Sequence, residues 1–129
     1  MHLTTTDEQH LSQVSALLSV LRPSKSVLCG DFNFNLTASA YQAIIGSGYS
    51  EAWPDLHPSG MDSTGYRGYT NGEFDSRLDM VFSTSDTSFS SIRVLRHQEC
   101  AVCQHGREDS NDCLGCSASD HLAVIVNVT

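Results

Sequence analysis

Four apolar runs of strand length constrain this chain more than any other feature: Ser26–Cys29, Leu78–Phe82, Ile92–Leu95 and Leu122–Val128. They are short and widely separated, so any sheet they form must be assembled from distant pieces and covered by something else. The covering element is legible at the start of the chain. Leu11, Val14, Leu18 and Leu21, with Leu17 beside them, recur at helical spacing. Thr6 with Gln9, or Thr5 with Glu8, offers a capping box in front of them. Arg22-Pro23 ends that helix, because a residue before proline is pushed out of the helical region. A second short helix is predicted over Ala38–Ile45, with Tyr41, Ile44 and Ile45 on one face and Gly46 as its stop. Ser50–Trp53 reads as a brief strand or turn. The order helix, strand, helix, strands predicts an α/β layered domain, and 129 residues make it one domain.

Within these runs, Cys29 reads as a small buried hydrophobe. Leu122–Val128 is apolar on both faces except at Asn127, the pattern of a strand buried on both sides. The lone Trp53 reads as core. Between the runs lie a long loop without apolar period, Pro54–Glu73, a polar connection, Ser83–Ser91, and a polar cysteine-bearing insertion, His97–Ala118. Long ordered loops tend to be functional. Tyr66, Arg67 and Tyr69 in the first of them suit either a grip on substrate or a plain surface loop.

The charge balance narrows the function classes. Seven basic residues stand against fifteen acidic ones, net −8, and six of the seven are arginines without a patch. A strong nonspecific hold on nucleic acid needs clustered Lys and Arg to neutralise phosphates, and this chain has no such cluster. The acidity suits a site for a divalent cation or a solvated acidic surface. No apolar run approaches the about 20 residues that span a bilayer, and Met1–Gln9 lacks the apolar core of a signal peptide. Localisation stays open.

Three polar words touch the apolar runs: Gly30-Asp31-Phe32-Asn33, Ser76-Arg77-Leu78-Asp79 and Ser119-Asp120-His121. Ionisable groups at strand ends can be aimed at one point by a rigid sheet. Asp31 and Asn33, two apart, point the same way if the backbone stays extended. A carboxylate and an amide so placed can orient a water and donate to a phosphoryl oxygen. His121 can take a proton, and Asp79, the only charged residue in Leu78–Phe82, is the acid suited to fix its tautomer. Together the set fits metal-assisted hydrolysis of a phosphoester. Each word also has a structural reading: a turn at Gly30-Asp31, an Asp79–Arg77 salt bridge, a loop cap at Asp120, a satisfied core histidine at His121.

Taken together, Gly-Asp-Phe-Asn after a strand, Arg-Leu-Asp leading a strand and Ser-Asp-His before a final strand resemble the endonuclease/exonuclease/phosphatase superfamily, the DNase I-like group. Met1-His2-Leu3 is similar to the end of that family's Thr-His-Leu strand, and Tyr69-Thr70 to its aromatic-Thr pair. The resemblance implies a DNase I-like layered β-sandwich flanked by helices, of which only the C-terminal half, one sheet plus helices, is present in residues 1–129. It implies that Asp31 orients or deprotonates the attacking water, that Asn33 stabilises the phosphorane, and that His121 is the catalytic imidazole paired with Asp79. It further implies that His2 is a second catalytic histidine and that Asp120 helps hold Mg²⁺ or Mn²⁺. The substrate would be a phosphoester of nucleic acid, phospholipid or phosphoinositide. The family's metal-binding Glu, carried in its N-terminal half, has no counterpart here. The expectation is therefore that the chain alone binds Mg²⁺ weakly and turns over slowly or not at all.

The cysteine pairs lie outside that pattern. Cys100-x-x-Cys103, nine residues, then Cys113-x-x-Cys116 resembles the spacing of a structural zinc site, with His97 and His105 nearby. Two disulfides in an exported protein, or an unstructured insertion with free thiols, fit the same spacing. A non-catalytic, zinc-stapled interaction module on a degenerate scaffold is accordingly the alternative to a hydrolase.

Overall fold

The computed structural model describes residues 6–22, 24–71, 76–95 and 121–129. These form a small α/β chain with three helices, α1 (Asp7–Val20), α2 (Ser39–Gly46) and α3 (Ala52–Leu56), and two antiparallel sheets. The first sheet has the order β1 (Val27–Asp31), β3 (Asp79–Thr84), β2 (Tyr49–Glu51); the second pairs β4 (Phe89–Val94) with β5 (Val124–Val128). One sheet was expected and two are found. The reason is occupancy: β3 is flanked on both sides, with Phe82 opposite Leu28 on β1 and opposite Glu51 on β2. β4, the next strand along the chain, therefore pairs with β5, Val94 opposite Val124, with an irregularity between Phe89 and Ser91.

Helices α1 and α2 cover one face of the first sheet. Val14, Leu28, Phe32, Phe34, Ala40, Tyr41, Ile44, Tyr49, Met80 and Phe82 make one continuous core, with Leu17, Leu18 and Leu21 packed at its margin. The buried stripe of α1 begins at His10 rather than Leu11, which is exposed; His10 lies edge-on to Phe34, ring centroids 5.4 Å apart. Thr6 is the N-cap but makes no side-chain capping bond, so the Thr6–Gln9 capping box does not form, and Thr5 of the alternative lies outside the described residues; the acidic first turn, Asp7 and Glu8, still complements the helix dipole. Gly46 is the last residue of α2 rather than its stop, and the left-handed turn falls at Gly48, φ 88°.

Cys29 is exposed, contrary to the buried reading. Strand alternation explains it: Leu28 points into the helical core, so Val27 and Cys29 point to the opposite face, which the described residues leave uncovered. The last strand departs from expectation for a related reason. Among the described residues, β5 is packed on the face of Val124 by a small cluster of Trp53, Val94 and Leu122 with Ile92 and Tyr66; Ile125, on the other face, is exposed, and so is Val128 at the end of the strand. Trp53 is core, as its solitary position suggested. The brief strand expected over Ser50–Trp53 is β2 as far as Glu51, and Ala52 and Trp53 already belong to α3; Pro54 is tolerated in the first turn, where no helical N–H is needed. Among the described residues, no helix is long and apolar enough to cross a membrane.

Candidate active site

Asp31 ends β1 and Asp79 begins β3, and the two are register partners across the ladder. Like charges directly opposite one another destabilise a sheet unless a third group mediates. His121 takes that place. Its Nδ1 lies 2.6 Å from Asp79 Oδ2, and its Nε2 lies 3.9 Å from Asp31 Oδ2. The side chains of His121, Asp31 and Asp79 are 22%, 17% and 23% exposed, sheltered yet reachable from solvent. In the tautomer with its proton on Nδ1, the imidazole donates to Asp79 and leaves Nε2 as an acceptor facing Asp31.

Local backbone geometry sets each group. The β1–β3 ladder continues one residue past Asp31, where the Phe32 N–H donates to the Leu78 carbonyl at 2.9 Å. The chain then turns: Asn33 adopts φ 54°, and its N–H donates to Asp31 Oδ1 at 2.9 Å. This Asx turn is chemistry that Asp and Asn favour. It also overturns the extended reading in which Asp31 and Asn33 point the same way. Asn33 instead lines a cavity of about 470 Å³ with Asp7, His10, Ser39, Ser76 and Leu78.

His121 arrives from the other sheet, ahead of β5, and Thr70-Asn71 bring it in. Asn71 forms bridges with both Ser76 and His121. The Leu122 N–H donates to the Thr70 carbonyl at 2.7 Å, while Thr70 Oγ1 accepts the N–H groups of Leu78 and Asp79, both at 2.9 Å. The loop before Thr70 is built, not loose. Asp62 Oδ1 accepts from Thr64 N–H, Thr64 Oγ1–H and Tyr66 N–H, and the Tyr66 hydroxyl donates to the Tyr69 carbonyl. Trp53, Tyr66 and Tyr69 pack edge to face in series. Both tyrosines thus serve the loop's own architecture.

Arg77 does not pair with Asp79 in the salt bridge considered from sequence. Its Nε and terminal nitrogen donate to the two oxygens of Glu51, both at 2.8 Å, and the Tyr41 hydroxyl donates to the same carboxylate at 3.1 Å. Burial raises the Glu51 carboxyl above its ordinary range, against the opposing pull of the Arg77 guanidinium. Burial, reinforced by the adjacent Glu51 charge, also pushes the Tyr41 phenol well up. Sequence reasoning missed Glu51. Nothing local signals a partner 26 residues away; the only hint was an acid in a strand otherwise set against the core.

Of the residues singled out from sequence, Asp31, Asp79 and His121 come together, and Asn33 stands beside them. His2, Asp120, Cys100, Cys103, Cys113 and Cys116 lie outside the described residues. The three donor atoms of the cluster fall within 4.8 Å of one another. Within the cluster, His121 Nδ1 and Asp79 Oδ2 are at hydrogen-bonding distance. Ligands of one octahedral Mg²⁺ at about 2.0–2.1 Å would stand farther apart than that, and Mg²⁺ prefers an oxygen shell. That pair is an acid–base contact; His121 Nε2 and the remaining carboxylate oxygens of Asp31 and Asp79 are the atoms left that could hold a metal ion. No family model matches the chain, and neither a curated protein nor a solved structure matches it.

Proposed function

We propose that this chain hydrolyses a phosphoester by general-base activation of water, on half of a DNase I-like layered scaffold. The observation that carries the proposal is the imidazole held between two register-paired carboxylates, Nδ1 on Asp79 and Nε2 toward Asp31. A separation of 3.9 Å is too long for a hydrogen bond and suits one water bonded to both groups. That water attacks phosphorus; its proton passes to Nε2, and Asp79 stabilises the resulting imidazolium. The P–O bond to the leaving group breaks, and the imidazolium returns the proton to the departing oxygen. Asn33, whose N–H bonds Asp31 Oδ1, is an amide beside the cluster, and the family resemblance would give it the phosphoryl oxygens. Substrate classes compatible with this chemistry are nucleic acid, phospholipid and phosphoinositide, and the net charge of −8 weighs against tight binding of long polyanions.

The test is hydrolysis of bis(p-nitrophenyl) phosphate and p-nitrophenyl phosphate, with Mg²⁺ or Mn²⁺ added, by the wild-type chain and His121→Ala. Slow turnover above the blank is expected in the wild type, reduced by about 10²–10⁴-fold in the variant, the range for loss of a general base. A variant as fast as the wild type, or a wild type no faster than the blank, overturns the proposal.

A further inference from the structure

We infer that Thr70 is a positioning residue that sets Asp79 against His121; its role in turnover rests on the reaction proposed above. The pair straddles two sheets, since Asp79 begins β3 of the first and His121 precedes β5 of the second. Thr70 belongs to neither sheet, is fully buried, and holds backbone on both sides. Its Oγ1 accepts the N–H of Asp79 itself and of Leu78, and its carbonyl accepts the N–H of Leu122, the residue after His121. Its own N–H donates to the Ser76 carbonyl at 3.0 Å, tying it to the segment that leads into Asp79. The side chain thus fixes the carboxylate strand while the backbone fixes the imidazole strand. Valine has nearly the shape of threonine but lacks the oxygen, and would leave two part-buried N–H groups without this acceptor. Asp79 must then shift, and a 2.6 Å contact has little slack.

NMR on the ¹⁵N-labelled chain tests this without reference to turnover. A short, charge-assisted Nδ1–H···O bond gives a strongly downfield proton. The signal is expected from His121 in the wild type and in Thr70→Ser, which keeps the hydroxyl, and not in Thr70→Val. The Leu122 amide, held by the Thr70 carbonyl, should stay protected from exchange in all three. A folded Thr70→Val that keeps the signal, or a Thr70→Ser that loses it, overturns the assignment. If Thr70→Val does not fold, hydrogen exchange in the wild type decides: slow exchange at the Leu78 and Asp79 amides supports the role, and unprotected exchange there overturns it. In the hydrolysis assay, Thr70→Val should lower kcat by about 10²-fold with KM unchanged, as a small misplacement of a reacting group does. A wild-type chain without turnover would overturn the reaction, with the NMR signal still deciding on Thr70.

Discussion

Asp31 and Asp79 oppose each other across one rung of an antiparallel ladder, a like-charge pair that a sheet built for stability alone would avoid. Asp31→Asn should separate stability from chemistry here. The amide keeps an oxygen to accept the Asn33 N–H, so the Asx turn survives, while one of two facing charges disappears. We expect the variant to gain about 0.2–1 kcal/mol, the scale of a cross-strand charge pair, and to lose hydrolysis. Urea midpoints and initial rates measure the two sides. Unchanged rates would show that Asp31 has no part in activating water.

Glu51 and Arg77 should behave as a buried pair. Their side chains are 1% and 11% exposed, and the guanidinium engages both carboxylate oxygens. Glu51→Ala leaves a nearly buried cation without its partner, which costs about 3–5 kcal/mol. Tyr41→Phe removes one further bond to the same carboxylate and should cost only about 1 kcal/mol. Chemical denaturation compares the three proteins. A loss in Glu51→Ala no larger than the about 0–1 kcal/mol of a surface pair would mean that solvent already screens the site.

What the sequence disclosed depended on how local the controlling interaction is. Helical spacing at Val14, Leu17, Leu18 and Leu21 and the apolar runs at Leu28 and Met80–Phe82 reveal elements because each reports its own burial. Asp79 stood out as the lone charge in its strand, and the structure puts His121 on it. Hidden were the features fixed by distant partners. The split into two sheets follows from β3 being filled on both sides. The exposure of Cys29 follows from which face the helices cover, and the Glu51 to Arg77 pairing joins side chains 26 residues apart that are not register partners, Glu51 standing opposite Phe82. The Asx turn at Asp31 is local and was one of two readings of that word; a strand end followed by Asp-x-Asn supports either an extended pair or a turn, and the structure has the turn.

Gly68 should tolerate no side chain. It adopts φ +75°, and a Cβ there would lie 2.5 Å from both Cδ2 and Cε2 of Trp53, closer than non-bonded carbons approach. Trp53 is fixed in turn by the bond from its Nε1 to the Gly60 carbonyl and by its packing on Tyr66. The ring cannot yield cheaply, so Gly68→Ala should destabilise by at least about 1–3 kcal/mol, the usual cost of overpacking. Because Thr70 follows two residues later, the His121 to Asp79 bond should weaken as well. Thermal melting and the downfield imidazole proton report the two effects; a variant that melts with the wild type would show that the loop lifts away from Trp53 at little cost.

Asp86 should give the chain a specific sensitivity to acid. The Lys25 N–H donates to both of its oxygens, at 2.9 and 3.0 Å, and the Thr84 hydroxyl donates at 2.7 Å, so the turn after β3 is pinned to the segment before β1. These bonds favour the ionised form and hold the carboxyl below its ordinary value, with the Lys25 N–H the largest cause. A depressed folded-state pKa means that the stabilisation is complete above the unfolded value, about 3.9 for aspartate, and is lost as pH falls through the folded value. Asp86→Asn lacks this titration. Urea midpoints from pH 6 down to pH 2.5 should therefore fall more steeply for the wild type than for the variant once the pH drops below about 4. Parallel curves over that window would mean that the Lys25 contact does not form in solution.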